Sequence, residues 1–239
     1  MSATENDAGS LALGAAALFE TLRITVPTLL DAGSGRLTRE GCDARLRDWS
    51  RRVLSRAEVD LRIHGGLPEG DETFVVMSNH QSHFDVPCIY QAFPRSLRMV
   101  AKAELFRIPL FGRAMRAAEF VEVDRGDPTQ ARASLGRAAE RLRSGVNVWI
   151  APEGTRSETG QLGPFKKGGF LLALETGLRI LPATIDGTRS VLPVNAPGVR
   201  RGQRVDLTFH APVDPGSYGR ARRDDLVAEV RRVIGSALR

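Results

Sequence analysis

The chain predicts an α/β fold, a mixed and largely parallel β-sheet flanked by helices, preceded by a helical extension. Three observations carry that expectation. From Val59 onward, short apolar runs of strand length alternate with longer helical patterns, the rhythm of a sheet covered on both faces. Turn residues separate the runs, drawn from 24 glycines and 13 prolines. At 239 residues and 42% hydrophobic content, the chain is long and apolar enough to bury the core of one such domain.

Before that rhythm begins, residues 11–30 (LALGAAALFETLRITVPTLL) come closest to a membrane segment. Glu20, Arg23 and Pro27 interrupt them, so no run reaches the ~18 apolar residues of a span. Leu11, Leu18, Leu22 and Leu29, with Phe19 and Val26, fall on one helical face. Two readings are open: a helix lying in a membrane interface, or one packed on the protein's own core. A turn cluster, Asp31 to Gly35, leads to a second helix from Thr38 through Trp49 to about Ala57. Its arginines could face phosphate headgroups or simply form a solvated surface. Residues 1–58 therefore read as an N-terminal helical segment, membrane-interfacial on the first of these readings, and 59–239 as the main domain.

Strands are predicted near 59–63, 73–77, 97–101, 119–123, 146–151, 180–185 and 204–209, and helices near 84–92, 107–117, 128–143, 167–176 and 222–238. In open sheets of this kind, ligand sites gather beyond the carboxyl ends of the strands.

Charge and cysteine content narrow the function classes. Net charge is +6 and the isoelectric point about 10.1, which asks for an anionic partner. The arginines are interspersed with acids and form no long basic block, so nucleic acid is not the expected partner. Cys42 and Cys88 form neither a disulfide framework nor a zinc spacing. No metal is expected, because no cluster of acids or cysteines surrounds His80 and His83. The first ten residues lack the basic start of a secretory signal, and the expected location is the cytoplasmic face of a membrane, peripheral or monotopic.

Chemistry concentrates in Ser78-Asn79-His80-Gln81-Ser82-His83-Phe84-Asp85, directly after an apolar strand run. On a regular helix, five residues turn roughly 500°, about 140° off register, so His80 and Asp85 could not meet. Pro87 is tolerated only near a helix start, which puts the pair at a strand-to-helix turn. There a carboxylate can fix one ring nitrogen and leave the other free to take a proton. His83 is the rival base, and Cys88, one turn into the helix, reads as a small core residue.

Three further segments complete the set. Glu153-Gly154-Thr155-Arg156-Ser157 follows a buried strand and offers an arginine fork beside a glycine, or else a turn in which Glu153 pairs with Arg156. Lys166 and Lys167 open a helix and oppose its dipole unless an anion sits there. Arg125, just past Val121-Glu122-Val123, is a second candidate phosphate clamp.

Taken together, these motifs resemble the glycerolipid acyltransferase family, which includes 1-acylglycerol-3-phosphate and glycerol-3-phosphate acyltransferases. The resemblance covers about residues 60–210. His80 and Asp85 match its His-x4-Asp block. Lys102-Ala103-Glu104-Leu105-Phe106 with Pro109 and Gly112 resembles the next block. Arg125 matches the second motif, Glu153 to Ser157 the third, and Leu181-Pro182-Ala183-Thr184-Ile185 the fourth. Two departures stand out: Glu119-Phe120 replaces a glycine of the second motif, and Ala151 replaces the leading aromatic of the third.

The resemblance implies a glycerol-3-phosphate acyltransferase-like fold. It further implies transfer of a fatty acyl group from a thioester, acyl-CoA or acyl-carrier protein, to a lysophospholipid hydroxyl, most simply that of 1-acylglycerol 3-phosphate. No cofactor is implied beyond that co-substrate. His80 would be the base and Asp85 its orienting partner. Arg125, Glu153, Gly154, Arg156 and Lys102 would serve the acceptor, with Thr155 and Ser157 supporting the turn. Lyso-ornithine lipid or lysophosphatidylglycerol as acceptor, and a non-catalytic lipid-binding module, are the alternatives.

Overall fold

The computed structural model describes residues 10–124, 128–196 and 198–239. Helix α1 (Leu11–Gly33) starts at Ser10, whose hydroxyl accepts the Leu13 N–H, and α2 (Arg39–Arg56) starts at Thr38, which accepts the Gly41 N–H. The expected turn at residues 31–35 joins them. Strands β1 (Asp60–His64), β2 (Val75–Ser78), β3 (Leu97–Lys102), β4 (Val121–Val123), β5 (Asn147–Ile150), β6 (Ile180–Asp186) and β7 (Arg204–Phe209) form one sheet in the order β1-β7-β6-β2-β5-β3-β4. Every neighbouring pair is parallel except β6 and β7. The sheet is thus mixed and largely parallel.

Alternation along the strands feeds two cores. Phe74 and Val76 face α2 and α3 (Asp85–Ala92), where Leu46, Val53, Cys88 and Ile89 pack. Val75 and Met77 face the other way, onto α6 (Pro128–Arg143), α7 (Gly168–Thr176) and α9 (Arg223–Gly235), through Ala138, Phe170, Leu172 and Val230. Three shorter helices, α4 (Ala103–Phe106), α5 (Phe111–Ala117) and α8 (Thr188–Val191), lie in the connections. The helix expected from residue 107 starts only at Phe111, because Leu110 takes a left-handed φ of 63°. The four-residue α4 and α8 were not anticipated, since one turn is too short to show a 3.6-residue period.

Helix α1 is built inside out. Its buried positions are Leu13, Glu20, Thr25 and Thr28, whereas Leu11, Leu18, Phe19, Leu22, Val26 and Leu30 are exposed by 46–70%. Polarity on the inner face is fully absorbed. Thr21, Thr25 and Thr28 donate their hydroxyls to the carbonyls of Ala17, Thr21 and Ile24, and the Thr21 hydroxyl also accepts the Trp49 Nε1–H at 3.1 Å. Glu20 is covered completely and takes hydrogen bonds from Arg52 Nε at 2.7 Å and Arg56 Nη2 at 2.7 Å. Burial alone would raise its pKa, but the hydrogen bonds from Arg56 and Arg52 outweigh that and hold it below the usual glutamate value.

Among the described residues, α1 is the one helix long and apolar enough to cross a membrane. As it packs here, Glu20 is its main polar tie to α2. Replacing Glu20 by alanine strands Arg56 and leaves Arg52 with Asp48 alone at a partly buried interface, and should cost about 1–3 kcal/mol. Thermal denaturation should show a lower Tm, with proteolysis appearing first in α1. A variant as stable and as protease-resistant as the parent would show that the remaining contacts, the Arg45–Asp31 ion pair among them, dock the helix without Glu20.

Candidate active site

Five strand ends converge on one edge of the sheet, and the turn after β2 occupies its centre. Asn79 extends β2 with its side chain in place of its backbone: Nδ2 donates to the Ile185 carbonyl at 2.7 Å and Oδ1 accepts the Ile185 N–H at 2.8 Å. Ser82 Oγ donates to the Leu192 carbonyl at 2.8 Å. Between these two anchors the chain reverses tightly and enters α3 at Asp85. The strand-to-helix turn that Pro87 demanded is therefore present, and it brings His80 and Asp85 into contact.

Asp85 is fully buried, with both oxygens engaged. Oδ2 faces His80 Nδ1 at 2.6 Å and accepts the N–H groups of Gln81 at 2.8 Å and Ser82 at 3.0 Å. Oδ1 accepts the Thr188 hydroxyl at 2.5 Å. A carboxylate held by main chain, ring and hydroxyl cannot rotate. It makes Nδ1 the protonated ring nitrogen and leaves Nε2 as the acceptor. The His80 ring is about one-fifth exposed, enough for a substrate to reach it.

Glu153 braces the same turn from β5. Its Oε1 accepts the His80 N–H and its Oε2 the Gly163 N–H, each at 2.8 Å, while the Ser157 N–H donates to the His80 carbonyl at 2.7 Å. Burial pushes the Glu153 pKa up, with the Gly163 and His80 N–H groups pulling against it. Both oxygens are committed to backbone donors, so Glu153 neither pairs with Arg156 nor is set up to meet a phosphate. Gly154 supplies the left-handed φ of 74° that the turn requires. Thr155 is exposed and Arg156 half-buried.

Arg156 and Lys102 have no hydrogen bond or ion pair among the described residues, and both act on the His83 ring. That ring is open to solvent on one side. Even so, the protein packed around it, followed by the charges of Arg156, His80 and Lys102, pushes its pKa down to about 4. At neutral pH His83 is uncharged, and the two basic side chains are free cations close to its ring. Arg125 lies outside the described residues. Of the helix-opening lysines, Lys167 meets Asp224 at 2.8 Å, so its anion belongs to the protein; Lys166 borders an apolar cavity of about 270 Å3 beside Ala151.

A second apolar cavity, of about 250 Å3, opens beside His83. Thr21, Ile24, Thr25 and Thr28 of α1 form one wall, and Trp49, Met99, Phe111 and Phe120 line the rest. Cys88 is wholly buried and its thiol pushed well above its usual pKa, which fits a packing residue. Glu119 takes a left-handed φ of 68°, a conformation that favours glycine. Arg39 holds its carboxylate through two bonds of 2.7 and 3.0 Å, and Arg141 adds an ion pair at 3.2 Å, which offsets a strain of about 1–2 kcal/mol.

Thr188 escaped the sequence reading. The signal was there in Asp186-Gly187-Thr188, a turn with a hydroxyl at a strand end, but nothing local says that it reaches a residue over a hundred positions away.

Comparison with known proteins places the chain in a family. The profile of the family described as Acyltransferase matches residues 59–186. The chain is 34% identical over 181 residues to a chloroplastic 1-acyl-sn-glycerol-3-phosphate acyltransferase of Brassica napus, covering 76% of this chain and 51% of that protein. It is 36% identical over 180 residues to its counterpart in Arabidopsis thaliana, covering 74% and 49%. To the 1-acyl-sn-glycerol-3-phosphate acyltransferase of Escherichia coli it is 27% identical, covering 73% and 71%. The chain thus spans about half the length of the two chloroplast relatives. The crystal structure of the 1-acyl-sn-glycerophosphate (LPA) acyltransferase PlsC from Thermotoga maritima is similar with a TM-score of 0.73 at 27% identity, covering 94% of this chain and 95% of that one.

The bracing role of Glu153 has its own test. Glu153→Ala removes two charge-assisted hydrogen bonds, each worth about 1.5–3 kcal/mol. Amide exchange at His80 and Gly163 should speed up at least about tenfold. Unchanged protection at both amides would show that the turn holds its shape without Glu153.

Proposed function

The chain belongs to the acyltransferase family, and from that premise we propose that it moves a fatty acyl group from a thioester to the free hydroxyl of a lysophospholipid. The acceptor we infer is 1-acyl-sn-glycerol 3-phosphate, giving phosphatidic acid. One observation carries the reading: a histidine locked to a buried aspartate, with two unpaired basic side chains close to the ring of His83, three residues on.

In this mechanism His80 Nε2 takes the proton of the acceptor hydroxyl as its oxygen attacks the thioester carbonyl. Asp85 fixes the tautomer and steadies the imidazolium; Thr188 and the two main-chain N–H groups hold Asp85 in turn. When the tetrahedral intermediate collapses, the C–S bond breaks and the departing thiolate takes the proton back from His80. The substrate hydroxyl stands where a serine stands in a Ser-His-Asp triad, so no acyl-enzyme forms. Arg156 and Lys102, with Arg125, bind the acceptor phosphate and hold the hydroxyl at attack distance. Gly154 lets the backbone come close, Glu153 braces the turn beneath His80, and Thr155 supports it. The apolar cavity beside the neutral His83 takes the donor's acyl chain. A water-using hydrolase is disfavoured by the absence of a Gly-x-Ser-x-Gly elbow from the sequence.

Membrane association is part of the same reading. The exposed face of α1, continued by Ile108 and Leu110 ahead of α5, is an apolar surface that a bilayer would cover. The inner face of the same helix lines the cavity beside His83, so a lipid acceptor and acyl donor would meet next to the bilayer. We place the protein as peripheral or monotopic, on the cytoplasmic face.

His80→Ala should reduce acyl transfer by at least about 10²-fold with Tm preserved. Arg156→Ala should mainly raise the acceptor KM. Near-native turnover by the first variant would overturn the mechanism, and an unaltered acceptor KM in the second would remove the role of Arg156. A panel of lysophosphatidic acid, lysophosphatidylglycerol and lyso-ornithine lipid with one acyl thioester identifies the acceptor. For the membrane, Leu18→Glu with Leu22→Glu should release the folded protein from anionic vesicles in flotation, and equal binding would contradict the placement of α1.

A further inference from the structure

The two sides of His80 are built differently. Along the carboxyl edge of the sheet the order of strand ends is β6, β2, β5, β3. On the β5 and β3 side stand Arg156 and Lys102, the cations given above to the acceptor. On the β6 side lies a separate polar cleft of about 680 Å3, within the range of ligand pockets. Gln81, the residue after the base, forms part of its wall, facing Thr159, Gly160, Asp186, Arg189 and Ser190. Gln81 Nε2 donates to the Gly160 carbonyl at 3.3 Å. Arg189 Nη1 lies 3.6 Å from the point where a side chain on Gly160 would begin, and Gln81 Nε2 lies 4.0 Å from it, so amide and guanidinium share one mouth.

Most arginines of this chain are committed to carboxylates or carbonyls. Arg189 has no such partner among the described residues, although Asp186 lines the same cleft. The other arginine of the cleft, Arg239, stands 3.9 Å from Asp206. A charge left unpaired in a cleft lined by amide, hydroxyl and main-chain groups suits a ligand that is polar along its length and anionic at its far end.

We propose that this cleft receives the 4′-phosphopantetheine arm of the thioester donor, with Arg189 binding its phosphate. The inference rests on the acyl-transfer reading and extends it to the donor. Two substrates must reach one imidazole from different directions, and the acceptor phosphate already claims the β5 and β3 side. The arm carries two amides between sulfur and phosphate. Asp186 and the hydroxyls of Thr159 and Ser190 can pair with those amides, and the thioester then lies at the Gln81 end, next to His80. The phosphate is common to coenzyme A and acyl-carrier protein, so the cleft accepts either donor through the same group.

The test compares the parent with Arg189→Gln, a surface substitution expected to leave Tm unchanged. With decanoyl-CoA, and with the decanoyl thioester of acyl-carrier protein, the donor KM should rise at least about tenfold in the variant while the acceptor KM stays fixed. With S-decanoyl pantetheine, which lacks the phosphate, parent and variant should behave alike. Calorimetry with coenzyme A should show at least about tenfold weaker binding to the variant, a readout that needs no turnover. Equal coenzyme A affinity, a change in acceptor KM instead, or a defect that persists with S-decanoyl pantetheine would overturn the proposal. A defect confined to the coenzyme A thioester would move the contact to the nucleotide phosphates and overturn it as stated. A parent chain that binds coenzyme A through Arg189 yet transfers no acyl group to any lysolipid would instead sink the acyl-transfer reading alone.

Discussion

The carboxylate of Asp85 has no access to water, and an ion in that position must find all its hydrogen bonds within the protein. It finds four, from one ring nitrogen, two main-chain N–H groups and one hydroxyl. Each donor fixes a different part of the molecule. The main-chain pair shapes the turn after β2, the hydroxyl ties α3 to the segment after β6, and the ring is the one donor that reaches the surface. Asn79 and Glu153 repeat the same device one layer out, using side-chain oxygens where a regular strand would use its backbone. The imidazole is positioned because an otherwise costly buried charge is satisfied in only one geometry.

Much of this could be read from the sequence, and the limits have physical causes. The seven strands and the long helices announce themselves by period and by punctuation. Pro87 alone was enough to move His80 and Asp85 from a helix, where they would diverge, to a helix start, where they meet. Residues whose function lies in local chain geometry were legible, Gly154 among them. Residues whose role depends on distant contacts were not. Thr188 is defined by a partner 103 positions away, and Glu153 read as a ligand because its partners, the amides of His80 and Gly163, become visible only after folding. Lys167 was ambiguous for the same reason: the anion its helix start called for is Asp224, 57 residues downstream.

Helix α1 shows how composition can mislead about direction. Its apolar stripe was visible, yet a stripe does not say whether it faces core or lipid. The packing answers through its threonines. Each hydroxyl is returned to the helix's own backbone, so a face that looks polar in sequence has its donors satisfied where it lines the apolar cavity beside His83. Glu20 and Asp31 tie α1 to arginines of α2, and the leucines are released to the outside.

The reversal between β6 and β7 has a consequence away from the chemistry. It turns β7 and β1 so that their carboxyl ends point to the opposite edge of the sheet, leaving β1 as a border strand. That border carries Asp60, Arg62 and His64, with Arg62 paired to Asp60 and His64 to Asp206. At the far border β4 is only three residues long. Charged or very short margins give a second chain little to zip onto. A molecule that displays a row of leucines on α1 therefore keeps the margins of its sheet from acting as a template for fibrils, so its exposed apolar side chains are not joined by an open backbone edge.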